Sequence, residues 1–120
     1  MPIKTIIFLF FIATLNCANL CLAADGVNEK SYGQSLTFDS KKGNCLACHA
    51  IPSEPKAVFP GNIGAPFAKI KQRFPDRAKL RAQIWDATVS NPNSSMPPFG
   101  RNKILTEQEI DQVTDYIQGL

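Results

Sequence analysis

The residues of this chain best suited to chemistry form one short run, Cys45-Leu46-Ala47-Cys48-His49. Its pattern, C-x-x-C-H, is typical of covalent attachment of a c-type haem, because two closely spaced thiols can reach both vinyl groups of one porphyrin. His49 would then lie beneath the iron as its proximal ligand. The run therefore predicts one haem c, attached through Cys45 and Cys48 and ligated by His49.

Other uses of a C-x-x-C pair fit this chain less well. A structural zinc site takes about four protein ligands, but the chain has one His, and its other two cysteines lie in an N-terminal segment that we expect to be removed. A thioredoxin-like redox pair requires a βαβ setting, and no strand pattern surrounds the motif. Once that segment is removed, no further cysteine remains to build a disulfide scaffold.

The N-terminus has the organisation of a secretory signal peptide. Lys4 precedes an unbroken apolar run over residues 6–15, and small residues follow up to Ala24. This order predicts cleavage after Ala24, with Ala23 as the alternative position. An uncleaved membrane anchor would need roughly 20 apolar residues, about twice the run that is present.

Residues 1–24 are thus expected to be a cleaved signal peptide, and residues 25–120 a single haem-binding domain of 96 residues. Cys17 and Cys21 each follow a bulky residue, which disfavours lipid attachment there. We expect the mature protein in the periplasm, where an oxidising environment suits haem attachment. Its formal charge falls from +3 to +2 when Lys4 is lost, which is too small to indicate binding to nucleic acid or membrane.

Apolar spacing predicts helices and no strands, hence an all-α, loop-rich fold. A first helix is expected over about 31–39, a short one over about 67–73 and a longer one from 75 to about 90. Residues 51–66 are rich in Pro and Gly and are expected to form a loop wrapping the haem edge. The longer helix should present an apolar stripe of Leu80, Ile84 and Thr88, broadened by Trp85 and Val89.

The last helix is the most strongly marked. Thr106 is placed as its N-cap, with Glu109 three residues later, the pattern of a capping box. Gly33, inside the first helix, costs about 1 kcal/mol relative to Ala and is explained only if another backbone crosses close by. The expected apolar face of the last helix consists of Ile110, Val113, Tyr116, Ile117 and Leu120.

Met96 is the expected distal ligand of the haem iron. It is the only methionine beyond the signal peptide, and the chain has no second His. Pro97 favours an extended backbone at Met96, and Pro97 with Pro98 stiffens the loop that a weak thioether ligand needs. His/Met ligation raises the reduction potential and closes the iron to substrates, which favours electron transfer. The alternative is that Met96 only packs in a surface loop.

The second ring nitrogen of His49 needs an acceptor that fixes its tautomer and orientation. We expect a backbone carbonyl within residues 61–66, whose glycines allow a tight turn beneath the ring. Trp85 is expected either to donate its N–H to a haem propionate or to pack in the core.

With these motifs together, the chain resembles a class I c-type cytochrome and, more narrowly, the SoxX subunit of the SoxAX sulfur-oxidising cytochrome complex. The resemblance covers most of residues 43–117. Where many class I cytochromes have Pro directly after the second Gly of the loop, this chain has Ala65 followed by Pro66, so the carbonyl that meets His49 is left open. The matching segments are Gly43-Asn44 with the haem motif, Gly61-Asn62-Ile63-Gly64, residues 80–88, Met96-Pro97-Pro98-Phe99-Gly100 and residues 104–110.

The resemblance implies a class I cytochrome c-like fold wrapped around one covalently bound haem, with residues 25–120 as a monohaem cytochrome c domain. It also implies Cys45 and Cys48 as attachment sites, His49 as the proximal and Met96 as the distal iron ligand. None of the four would act on sulfur, so no catalytic residue is expected in this chain.

The resemblance implies partners as well. A SoxAX complex, an L-cysteine S-thiosulfotransferase, joins thiosulfate oxidatively to a cysteine of the carrier protein SoxY. A SoxX-like subunit accepts the released electrons and passes them to another cytochrome. The implied partners are a SoxA-like subunit in a heterodimer, a SoxY-type carrier reached through the complex, and a downstream c-type cytochrome.

Two other functions remain open from the sequence. The first is a free-standing periplasmic monohaem electron carrier, whose basic residues would either surround the haem edge or form solvated helix faces. The second is a haem-based gas sensor or peroxidase, which lacks a distal His, Arg or Glu constellation to support it. The basic residues are Lys41, Lys42, Lys69, Lys71, Arg73, Arg77, Lys79 and Arg81.

Overall fold

The computed structural model describes residues 29–120, so the signal peptide expected over residues 1–24 lies outside the described part. Within residues 29–120 there is no strand, and the expected all-α fold is confirmed. No helix of this part is long and apolar enough to span a bilayer. The elements are α1 (Glu29–Phe38), a 3₁₀ turn (Cys45–Ala47), α2 (Ile70–Arg73), α3 (Arg77–Trp85), a second 3₁₀ turn (Ala87–Val89) and α4 (Glu107–Gln118).

Helices α1 and α4 cross with their backbones almost in contact. A Cβ atom on Gly33 would lie 2.2 Å from the carbonyl oxygen of Gln112 and 2.9 Å from Cβ of Tyr116. The expectation that Gly33 sits where another backbone crosses is therefore confirmed. One turn later, the buried Thr37 hydroxyl donates to the Gly33 carbonyl at 2.8 Å, so this hydroxyl is satisfied within α1.

Helix α4 begins at the predicted capping box. The Thr106 hydroxyl accepts from the Glu109 N–H at 3.2 Å, and the Glu109 carboxylate accepts from the Thr106 N–H at 2.9 Å. Lys42 Nζ lies 2.9 Å from the same carboxylate, and its hydrogen bond holds the pKa of Glu109 below its usual range. The segment that follows α1 is thereby fastened to the start of α4.

The predicted apolar face of α4 is confirmed, and it meets a single core. Leu120 lies partly buried at its edge. The buried members of this core come from all four α-helices and from four loop positions, so the core anchors parts of the loops as well as the helices. Its buried members are Leu36, Ile51, Phe67, Ile70, Leu80, Ile84, Phe99, Leu105, Ile110, Val113, Tyr116 and Ile117.

Helix α3 ends earlier than predicted. Asp86, with φ −158° and ψ 95°, is extended, and its carboxylate accepts from the Thr88 N–H at 3.0 Å and so starts the second 3₁₀ turn. The predicted continuation to residue 90 is wrong because this side chain competes with the helical hydrogen bond. Val89 is 80% exposed and does not broaden the apolar stripe, whereas Leu80 and Ile84 are buried as predicted.

Arginines of α3 pair with carboxylates of α4. Arg81 Nε lies 2.8 Å from Asp111 Oδ1, and its guanidinium also pairs with Glu107. Arg77 reaches Asp111 at 3.1 Å and Asp115 at 2.5 Å. Two of the basic residues considered for a ring around the haem edge thus serve this internal interface.

The carboxylate of Asp111 gives the α3–α4 interface a pH dependence. Hydrogen bonds from Arg81 and then Arg77 hold the pKa of Asp111 below its usual range. Its folded pKa therefore lies under the value of about 3.9 for an unfolded Asp, so its contribution is present above about pH 4 and is lost as pH falls through the folded pKa.

We expect Asp111→Asn to lower the free energy of unfolding of the haem-loaded protein by at most about 1 kcal/mol at pH 7, because the side chain is 42% exposed. The difference from wild type should shrink as pH falls below about 4 and through the folded pKa of Asp111. Urea unfolding at pH 7 and at a series of lower pH values measures it. An equal difference at every pH value would contradict the assignment.

Candidate functional site

The run from Gly43 to His49 is packed onto the end of α1. The Gly43 N–H donates to the Leu36 carbonyl at 3.2 Å, and a Cβ on Gly43 would lie 2.5 Å from that oxygen. Asn44 adopts a left-handed conformation, φ 48°, from which the 3₁₀ turn over Cys45–Ala47 starts. The His49 N–H closes the run by donating to the Cys45 carbonyl at 2.9 Å. The local fold therefore holds the two cysteines and the histidine in one turn.

Both cysteines of this turn are free thiols, each half-buried. Cys45 packs against the core, and burial raises the pKa of its thiol to about 12. Within residues 29–120, no group of three or more His, Cys, Asp or Glu side chains converges as a metal site. The zinc alternative thus finds no support in the described part, and both thiols remain available for covalent bonds to a cofactor.

The Pro/Gly-rich loop lies directly against the motif. The Gly61 N–H donates to the Leu46 carbonyl at 2.7 Å, and the Gly64 N–H donates to the Cys48 carbonyl at 2.8 Å. A Cβ on Gly61 would lie 1.9 Å from the Ala47 carbonyl oxygen, so the approach requires glycine. This loop is ordered by the motif that it covers.

The loop supplies the acceptor for His49. Nδ1 of the ring lies 2.6 Å from the carbonyl oxygen of Ala65. A carbonyl can only accept, so Nδ1 carries the proton and Nε2 keeps its lone pair free for a metal. The acceptor expected within residues 61–66 is therefore Ala65, the residue that replaces the usual proline.

The ring of His49 is also held on its faces. Phe67 stacks on it with 4.3 Å between ring centroids and 22° between ring planes. A Cβ on Gly64 would lie 2.3 Å from Cε1 of the ring, so the loop backbone lies against the imidazole. The tautomer and the orientation of the imidazole are thus both fixed by this chain, before any metal is considered.

Met96 lies in the loop between the second 3₁₀ turn and α4. It is partly buried and packs against the same core as Cys45 does. Its N–H donates to the Ser94 hydroxyl at 3.2 Å, and Phe99, three residues later, is buried in the core. The structure thus brings Met96 to the core that the haem motif borders, rather than leaving it on a free surface loop.

Trp85 packs against the core, which is one of the two roles expected for it. Its N–H donates to the Glu107 carboxylate at 3.1 Å, and a Cβ on Gly100 would lie 2.0 Å from the indole. An N–H with an acceptor in the protein disfavours the propionate alternative.

The residues present fit a haem c. They offer two free thiols in one turn, an imidazole whose Nε2 is the available ligand atom, and a thioether on the same core. Sequence reasoning missed Phe67 as a ring-stacking partner and Asp86 as a buried charge. An aromatic three residues after the Gly64 turn and an Asp at the helix end were the available signals.

Comparison with known proteins identifies the class. A family model described as cytochrome c oxidase, cbb3-type, subunit III matches residues 37–117, and the chain belongs to this family of c-type cytochrome domains. It has the class I cytochrome c fold, carries one covalently bound haem c and acts as a monohaem electron carrier.

Two sequence relatives of this chain carry different descriptions. The chain is 34% identical to the cbb3-type cytochrome c oxidase subunit CcoP of Azospirillum sp. (strain B510), over 82% of this chain. It is 33% identical to an uncharacterized lipoprotein of Aquifex aeolicus (strain VF5), over 65% of this chain. The chain spans 37% of the length of each of these proteins.

Among solved structures, the crystal structure of SoxXA from P. pantotrophus is similar to this chain. The TM-score is 0.67 and the sequence identity 26%, and the match covers 74% of this chain and 79% of that one.

The contact between Gly64 and the His49 ring can be tested directly. In Gly64→Ala the added Cβ would force the loop off the ring and weaken the hydrogen bond from Nδ1 to the Ala65 carbonyl. We expect the free energy of unfolding of the haem-loaded protein to fall by about 1–3 kcal/mol. The reduction potential should rise, because a weaker hydrogen bond makes the imidazole a less basic ligand.

Urea unfolding and a redox titration measure the two effects. Gly119→Ala is the matched control, because the nearest atom to a Cβ there is 3.4 Å away. Unchanged stability and potential in Gly64→Ala would show that the loop does not hold the ring.

Proposed function

We propose that this chain is the SoxX-like, electron-accepting subunit of a SoxAX-type complex in the periplasm, reached after removal of residues 1–24 as a signal peptide. In this proposal Cys45 and Cys48 attach the haem, His49 is the proximal ligand and Met96 the distal ligand. The observation that carries it is the hydrogen bond of 2.6 Å from His49 Nδ1 to Ala65, which leaves Nε2 as the ligand atom. The similarity to SoxXA supports the choice of complex.

When bound, a haem c supplies a one-electron redox couple. The residues of this chain do the rest. Cys45 and Cys48 would hold the porphyrin by thioether bonds, so that the cofactor stays attached to the protein. His49 presents Nε2, and the Ala65 carbonyl raises the basicity of the ring and fixes its direction. Met96 would offer its thioether sulfur as the second iron ligand and so keep small ligands from the iron, which suits electron transfer.

A subunit should also expose an apolar surface to its partner. Phe59 is 99% exposed, and Val58 and Ile63 are exposed as well. All three belong to the loop that is hydrogen-bonded to the haem motif. Phe59 has φ 53°, in the left-handed region that a bulky side chain rarely adopts. Exposure of an aromatic side chain at a strained position favours an interface, and a SoxA-like subunit is the partner we propose.

A free-standing periplasmic electron carrier is the second candidate. Four exposed basic side chains favour it, because they could attract an acidic redox partner by charge. They are Lys41, Lys69, Lys71 and Lys79. Both candidates share the same haem site and differ only in whether the partner stays bound.

In the first candidate, the SoxA-like partner would join thiosulfate to a SoxY-type carrier. The subunit would accept the released electrons and pass them to a downstream c-type cytochrome.

The distal ligand is tested by Met96→Ala. We expect loss of the sulfur-to-iron charge-transfer band of the ferric protein and a lower reduction potential, because the thioether stabilises the reduced iron. Rapid binding of carbon monoxide by the reduced variant should appear at the same time. If the Met96→Ala variant keeps the band, Met96 is not the distal ligand. Rapid carbon monoxide binding by the wild type would instead revive a sensor or peroxidase function.

The partner is tested with the mature haem-loaded protein and a SoxA-like subunit mixed in solution. We expect a stable heterodimer, and reduction of the haem of this chain that depends on thiosulfate and a SoxY-type protein. Phe59→Ser should weaken assembly by about tenfold or more if the ring is an anchor of the interface. Gln108→Ala, an exposed change on α4, is the control that should leave assembly intact. A wild-type chain that stays monomeric beside this partner would contradict the subunit proposal and favour the free carrier.

A further inference from the structure

The loop that bears Met96 begins and ends beside the C-terminal end of α3. At its start the Asn91 N–H donates to the Ala87 carbonyl at 3.0 Å. At its end the Gly100 N–H donates to the Trp85 carbonyl at 3.0 Å. Met96 lies near the middle of this closed loop, so whatever holds the base also limits how far the thioether can move.

A buried charge lies at that base. Asp86 is 3% exposed, and its Oδ2 lies 2.8 Å from Nη1 of Arg101, which belongs to the returning end of the loop. Its Oδ1 accepts from the Thr88 N–H at 3.0 Å and from the Thr88 hydroxyl at 2.5 Å. Nη1 of Arg101 also donates to the Thr88 hydroxyl at 3.3 Å. The carboxylate is thus bonded both to its own turn and across the loop.

This arrangement makes loop opening costly for a reason separate from apolar packing. If the returning end moves away, Arg101 goes with it and leaves a buried carboxylate without its cation. Arg101 itself is 53% exposed, but the carboxylate that it pairs with is buried, and a buried charge that loses its partner is left uncompensated. Asp86, which ends α3 and starts the second 3₁₀ turn, therefore also holds the returning end of the loop through Arg101.

We propose that Asp86 and Arg101 form a loop clamp that keeps Met96 on the iron, so that the two act as positioning residues for the distal ligand. The inference rests on the proposed ligation by Met96. Neither residue is itself proposed as an iron ligand. Arg101 closes the loop from its returning end, Asp86 receives it, and Thr88 holds Asp86 in place.

The clamp predicts how readily an external ligand displaces the thioether. A competitor can bind only while the loop is open. Its apparent Kd is therefore its intrinsic Kd divided by the fraction of molecules whose loop is open. Losing one charge-assisted hydrogen bond changes such an equilibrium by about 10- to 100-fold. We therefore expect Arg101→Ala to bind imidazole about 10- to 100-fold more tightly than wild type in the ferric protein. The sulfur-to-iron band reports the displacement.

Two variants show whether the effect passes through Met96. In a Met96→Ala background there is no thioether to displace, so adding Arg101→Ala should leave imidazole affinity unchanged. Lys103→Ala, an exposed change in the segment that follows the loop, should behave as wild type in either background. Arg101→Lys keeps the charge and should recover part of the wild-type resistance to imidazole.

The outcomes separate the clamp from the ligation on which it rests. Wild-type protein without the sulfur-to-iron band would overturn the Met96 assignment itself. A wild-type band together with unchanged imidazole affinity in Arg101→Ala would overturn the clamp alone. An equal gain in affinity with and without Met96 would also overturn the clamp, because Arg101 would then act on the haem pocket as a whole.

Discussion

The hydrogen bond from His49 Nδ1 to the Ala65 carbonyl is the constraint on which the rest of the site depends. At 2.6 Å it decides which nitrogen is free, and the direction of the free nitrogen decides where an iron would lie. The bond exists because Gly61 and Gly64 let the loop approach the motif more closely than any side chain would permit. The loop is held in turn by the N–H donors that it gives to the Leu46 and Cys48 carbonyls.

The helices fix the position of the His49 motif relative to the loop that bears Met96. The crossing of α1 and α4 at Gly33 places the end of α1, on which the haem motif rests, against α4. The ion pairs of Arg77 and Arg81 join α3 to α4, and Met96 lies in the loop between them. One core therefore carries both proposed axial ligands. The family fold, the covalent haem c and the electron-transfer role follow from the comparisons, whereas the ligand roles stand as proposals.

Features set by local patterns could be predicted from the sequence. The capping box at Thr106, the apolar face of α4 and the close crossing at Gly33 were all found, because each depends on residues within a few positions or on glycine itself. The end of α3 was predicted wrongly, since the periodic pattern of residues 80–88 continues past Asp86. Only tertiary structure shows that Arg101 reaches Asp86 and stabilises the interruption. Likewise, the motif required some acceptor for His49, but only the traced loop identifies Ala65 as that acceptor.

The central claim is that His49 and Met96 ligate one haem iron from opposite sides. Proton NMR of the reduced, haem-loaded mature protein tests it most directly if methionine is labelled at its methyl carbon, because Met96 is the only methionine after position 1. If Met96 ligates the iron, we expect one methyl resonance shifted far upfield by the ring current of the porphyrin. A methyl resonance at the ordinary position of a packed methionine would contradict it.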